Sequence, residues 1–175
     1  MEKYRSDYKE LSITAVKKTT TSNKTIQINN YIKNMPPLLI DDMKEHIPNL
    51  TLEHHVKGAE GYAEYAMEFP FKGKIVCVDV SRNKIKYKNE DGDIIEDVGF
   101  KKMMMKLCEM IKDRSYDLTQ EHYEKLAKDF SDKELDAFDF HETALGISRC
   151  ANGRETDLCR DIIKMISRSS SINSK

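Results

Sequence analysis

Residues 61–88 read GYAEYAMEFPFKGKIVCVDVSRNKIKYK, and the fold class turns on them. A strand sends successive side chains to opposite faces, so a half-buried strand repeats every second residue. In GYAEYAMEF, Ala63, Tyr65, Met67 and Phe69 share one face and Tyr62, Glu64, Ala66 and Glu68 the other, which predicts a strand. KIVCVDV is apolar on both faces and predicts a central strand; KIKYK alternates again, with Ile85 and Tyr87 opposed to Lys84, Lys86 and Lys88. Ser81-Arg82-Asn83 and Asn89-Glu90-Asp91-Gly92 supply turns, so an antiparallel meander is expected between Leu50 and Asp97.

Working outward, Met35-Pro36-Pro37 opens a short helix, Leu38 to Ile47, on which Leu39, Met43 and Ile47 recur every four residues until Pro48 stops it. Residues 1–34 are polar and basic, and are expected to form an arm with short strands at Leu11–Val16 and Thr25–Ile28 around an exposed Thr19–Lys24. Past Gly99 the period becomes helical. Phe100, Met103, Met104, Leu107, Cys108 and Ile111 make one apolar stripe. Leu118 and Tyr123 flank Thr119 as a hydrophobic staple would at the start of a second helix, and Ser131 with Glu134 makes a capping box for a third. Asn152-Gly153 ends that one, and Leu158, Cys159, Ile162, Ile163 and Ile166 face inward on a fourth. The expectation is an α+β fold in one compact domain: an arm over 1–34, a short helix plus sheet over 35–98, a bundle of about four helices over 99–168, and a disordered tail over 169–175.

The stretch EYAMEFPFKGKIVCVDVSRNKIKYK, residues 64–88, resembles the paired strands of co-chaperone domains of the CS type, where a strand ending in proline leads to a valine-rich strand and then a basic one. The resemblance covers these residues alone. It implies a sheet here, and it stops at Phe100, where a helix replaces the further strands of such domains.

Several chemistries are absent from the sequence. No G-x-S-x-G, G-x-x-x-x-G-K-[ST] or G-x-G-x-x-G occurs, so the nucleophile elbow and the glycine-built phosphate cradles are missing. HETAL, residues 141–145, has one histidine where a zinc-protease helix needs two at i and i+4. His141, Cys150 and Cys159 stand nine residues apart, which puts neighbours on opposite faces of a continuous helix. Only a fold-back at Asn152-Gly153 brings Cys159 toward Cys150, so a surface histidine and two packed cysteines are expected and no metal or cofactor. His54-His55, read on a strand, point to opposite faces. Cys77 among valines is an inert thiol, and NEDGD, residues 89–93, is a hairpin turn.

What the sequence offers a partner is charge. Residues 1–34 hold seven Lys/Arg and three Asp/Glu, whereas the whole chain carries a formal charge of −1. Arg82, Lys84, Lys86 and Lys88 with Lys17, Lys18 and Lys24 are the candidate nucleic-acid contacts, although lysines on a strand also serve to block edge aggregation. With no reactive groups assembled, the expected function is a non-enzymatic binding or assembly protein that meets a protein partner through a sheet edge or helical face. Nucleic-acid binding is the alternative and a zinc-dependent enzyme the third. The chain lacks the roughly 18 apolar residues of a membrane span, MEKYRSDYKELS lacks a leader's apolar core, and the four cysteines show no paired spacing. An intracellular setting, cytoplasmic or nuclear, is therefore expected.

Overall fold

The computed structural model describes residues 26–129 and 137–172, with the side chains of 127–129 and 137–140 left aside. The chain divides after Asn34. Of the first unit, residues 26–34 are helical (α1), so the strand expected at Thr25–Ile28 is replaced from Ile26 onward by helix. The strand expected at Leu11–Val16 and the threonine-rich turn lie outside the described residues.

The second unit begins with α2, Ile40–Glu45, followed by a 3₁₀ turn at Ile47–Asn49 that holds Pro48. Next come α3 (Leu52–Val56), α4 (Ala59–Glu68), the strands β1 (Ile75–Asp79), β2 (Lys84–Lys88) and β3 (Ile94–Asp97), and the helices α5 (Lys101–Asp129), α6 (Ala137–Ala151) and α7 (Asp157–Ser169). The fold is α+β, with one antiparallel sheet in the order β1-β2-β3. The Asn89–Asp93 turn is closed by Gly92 N–H to Asn89 O and Asp93 N–H to the Asn89 side chain, with Gly92 at φ +84°.

The first correction concerns the opening stretch. Residues 61–68 are helix, so the sheet starts at Ile75 rather than near Leu50. Tyr62, Tyr65 and Ala66 are buried at helical spacing while Glu60 and Glu64 are exposed one turn apart. Over so few residues this 3.6 period mimics a period of two. The likeness to CS-type domains falls with it, because the segment before the proline is no strand.

The second correction concerns Thr119. No helix begins there: α5 runs unbroken through it, so three helices, rather than about four, follow Gly99 among the described residues. The Thr119 hydroxyl donates to Ser115 O, 3.0 Å away and one turn back, as threonine does inside a helix. The capping box at Ser131–Glu134 lies outside the described residues. The tail is corrected too. Ser170 and Ser171 are buried, Ser170 O accepts from Cys77 N at 3.0 Å, and Ser171 bridges Cys77 in parallel fashion.

A ring of hydrogen bonds ties α3, α4 and α5 together. Thr119 Oγ1 has given its proton to Ser115 O, so it accepts from His55 Nε2 at 3.1 Å. His55 Nδ1 is then an acceptor and takes the Tyr62 hydroxyl at 2.9 Å; Tyr62 in turn accepts from Ser115 Oγ at 2.6 Å. All four residues are buried. Beside the ring, α3 and α4 approach so closely at Gly61 that a Cβ there would stand 2.0 Å from the backbone oxygen of His54. At the N-terminal end of α5, Gly99 and Phe100 turn the chain with positive φ, and the buried Asp97 carboxylate accepts from Met103 N at 3.0 Å. Phe71 meets Phe100 edge-on where the sheet joins the helices.

Two substitutions test this core by urea denaturation. Gly61→Ala in an exposed helix would stabilise by about 1 kcal/mol; here it is expected to destabilise by about 3 kcal/mol, the clash outweighing propensity. Tyr62→Phe leaves His55 Nδ1 and the Ser115 hydroxyl without their partner and is expected to cost about 1–3 kcal/mol. A neutral result for Tyr62→Phe would remove the ring from the account of stability.

Candidate metal centre

Three cysteines separated widely in sequence meet between α5, α6 and α7. Cys108 lies on the inward stripe of α5, fully buried with Met104, Leu107 and Ile111. Cys150 is the penultimate residue of α6, and Cys159 the third of α7. The reversal between those helices is built by Gly153 at φ +76°, where Gly153 N–H bonds Cys150 O and Arg154 N–H bonds Arg149 O, both at 2.9 Å. That six-to-one and five-to-two pair is the Schellman C-cap. It sends the chain back along α6, and Gly146 lets α7 settle closely, since a Cβ there would stand 2.9 Å from Leu158 Cδ2.

The three sulfurs lie within 4.8 Å of one another, Cys108 and Cys159 at 3.9 Å. Zinc–sulfur bonds of about 2.3 Å place the sulfurs of a tetrahedral site about 3.8 Å apart and those of a trigonal site about 4.0 Å apart. The cluster needs only a small side-chain adjustment to hold one ion. Its donors are all thiols, which select zinc or a soft monovalent ion such as Cu(I) over magnesium or calcium.

The electrostatics distinguish the three. Hydrogen bonds from the Cys108 and Cys150 thiols hold Cys159 down at about 4, against burial, with Thr156 adding to the effect. Cys159 lies in the first turn of α7, where the helix dipole favours the same charge, and its own N–H is taken by the Thr156 side chain. The Cys150 and Cys159 contacts and burial push Cys108 well above the ordinary thiol range. For Cys150 the contact with Cys108 lowers, but Cys159 and burial outweigh it and carry the thiol up to about 12.

Fold-back at Asn152-Gly153 does unite Cys150 with Cys159, and the third member is Cys108 rather than His141. His141 is exposed on α6, and Glu142 beside it pairs with Arg149 at 3.8 Å. Sequence spacing gave no sign of Cys108, which stands far upstream; the available signal was that Cys108 and Cys159 each fall on an inward helical stripe. His54 and His55 sit on α3, not on a strand. His54 takes the Thr51 N–H in a capping box, while His55 enters the core ring. Cys77 is a buried thiol whose pKa is raised by burial.

The cations of the basic strand are partly paired within its own sheet. Lys84 and Lys86 both reach Glu96 on β3, at 2.8 and 3.4 Å, and Arg82 pairs with Asp79 at 3.7 Å. The Lys84 and Lys86 ammoniums hold the Glu96 carboxyl below its usual range. Lys88 is half-buried at the strand end, and Lys17, Lys18 and Lys24 lie outside the described residues. Among the described residues no helix is long and apolar enough to cross a membrane. No family model, no curated protein and no solved structure matches this chain.

Proposed function

We propose that this chain is a non-enzymatic binding protein whose buried ligand is a thiophilic metal ion, held by Cys108, Cys150 and Cys159. The observation that carries the reading is the convergence of three sulfurs from three helices at chelating separation. Such an ion cross-links α5, α6 and α7, so binding free energy becomes folding free energy. A macromolecular partner belongs to the same reading. Ile94, the first residue of the end strand β3, and Val98, just past its last, are 51% and 58% exposed and favour a protein partner. The pairing of Lys84 and Lys86 with Glu96 weighs against nucleic acid, whose phosphates would have to displace it.

Purification without chelators, followed by elemental analysis, is expected to find about one equivalent of zinc or copper, or uptake of one equivalent of Co(II) by the reduced protein. Cys108→Ser, Cys150→Ser and Cys159→Ser are each expected to weaken uptake by at least about tenfold, whereas Cys77→Ala retains it. At free metal one hundred times Kd the gain in stability is about 2.7 kcal/mol, read as a rise in Tm that chelator reverses. Because the ligands must lose their protons, retention falls as the solution is acidified. Substoichiometric metal together with no Co(II) uptake would refute the reading.

Titration with single-stranded DNA at low salt is expected to show no saturable binding. A saturable isotherm whose salt slope shrinks in the Lys84→Gln, Lys86→Gln double variant would restore the nucleic-acid alternative.

A further inference from the structure

Beside the cysteine cluster lies a cleft of about 240 Å³, lined by Cys150 and Cys159 together with Met104, Met105 and three cationic side chains, Lys101, Arg154 and Arg160. Two of the three cysteines therefore line it. The donor group found among the described residues contains three thiols and no imidazole or carboxylate. An ion held by three thiolates that prefers four ligands has its open position where the protein supplies none. Here the space beside the cluster is the cleft that Cys150 and Cys159 line.

The charge of that cleft narrows what enters it. Glu155 is the one carboxylate in its lining, and it is shared between Lys101 at 3.6 Å and Arg160 at 3.7 Å. Arg160 also pairs with Asp157 at 2.6 Å. Arg154 is exposed, lines the cleft and makes no ion pair among the described residues. An anion is the complement to this rim, and a soft donor is the complement to a metal already bound by sulfur.

Resting on the metal reading above, we propose that the cleft admits a small thiol bearing a carboxylate, whose sulfur completes the coordination of the Cys108–Cys150–Cys159 ion and whose carboxylate meets Arg154. The thiol binds as thiolate and its proton passes to solvent; no bond between sulfurs forms and nothing is oxidised. The centre then behaves as an exchangeable site with an external ligand rather than a closed structural knot.

The test uses the reduced full-length protein loaded with Co(II), whose thiolate-to-cobalt charge-transfer band reports the number of sulfur ligands. Mercaptopropionate, mercaptoethanol and propionate are titrated in turn, and cobalt retention is checked by gel filtration. The band is expected to strengthen with mercaptopropionate at about tenfold lower concentration than with mercaptoethanol, and propionate is expected to leave it unchanged. Arg154→Glu should bind cobalt as before and lose the preference for the acid. If cobalt is held but no thiol alters the band, or both thiols act alike, this proposal fails while the metal reading stands. If the protein takes up no cobalt, both fail together.

Discussion

The hydrogen-bond ring of His55, Tyr62, Ser115 and Thr119 is the constraint on which the helical part of the structure rests. Each of these polar groups is buried, and an unsatisfied one costs about 1–3 kcal/mol. The donors run in a single sense only while Ser115 and Thr119 lie one helical turn apart on α5. A helix break at Thr119 would remove its acceptor and strand His55 Nε2 in an apolar interior. Continuity of α5 is thus enforced by groups on α3 and α4, which explains why a residue suited to starting a helix sits in the middle of one.

Because α5 is continuous, positions along it are fixed relative to each other. Cys108 precedes Ser115 by two turns, a rise of about 10 Å, so the ring that aligns α3 and α4 also sets where the first sulfur stands. The other two sulfurs are placed by a separate device. Gly153 provides the left-handed residue that closes α6, and Gly146 removes the side chain that would hold α7 away. Arg114 adds a further tether, donating to Leu50 O at 3.1 Å and pairing with Glu121 at 2.7 Å. Two independent local geometries therefore have to agree for three thiols to meet.

This division explains what was readable in the sequence. β1, β2 and the turn at Asn89–Asp93 announced themselves through an apolar run, an alternating one and the turn residues between and after them, although β1 lies at the end of the three-stranded order and β2, not β1, is central. The α6 end and α7 were legible for the same reason, glycine and periodicity pointing to one boundary. Residues 61–69 failed because a short segment with alanines on every side satisfies both periods, and the deciding contact, Gly61 against the His54 backbone, is tertiary. The docking of Ser170 and Ser171 on β1 was equally hidden, since serine-rich composition says nothing of a backbone bond to Cys77. Of the metal centre, the pairing of Cys150 with Cys159 could be glimpsed through the Asn152-Gly153 turn. Cys108 could not, because its approach depends on how α5 crosses the α6–α7 hairpin.

Charge shows the same gap between sequence and space. A formal total of −1 suggests a surface without direction, and the run of lysines on β2 suggests a basic face. In three dimensions the run is answered across the sheet by Glu96, whose carboxylate spans two lysines that a linear reading leaves unmatched. An unpaired cation stands where the sequence looks balanced, in RETD at residues 154–157. There Glu155 and Asp157 pair with Lys101 and Arg160, and Arg154, which lines the cleft, enters no ion pair among the described residues. Coulomb energy between paired surface ions is small and screened. The field that reaches an incoming ligand is therefore set mainly by cations without an ion-pair partner, and in the cleft lined by Cys150 and Cys159 that cation is Arg154.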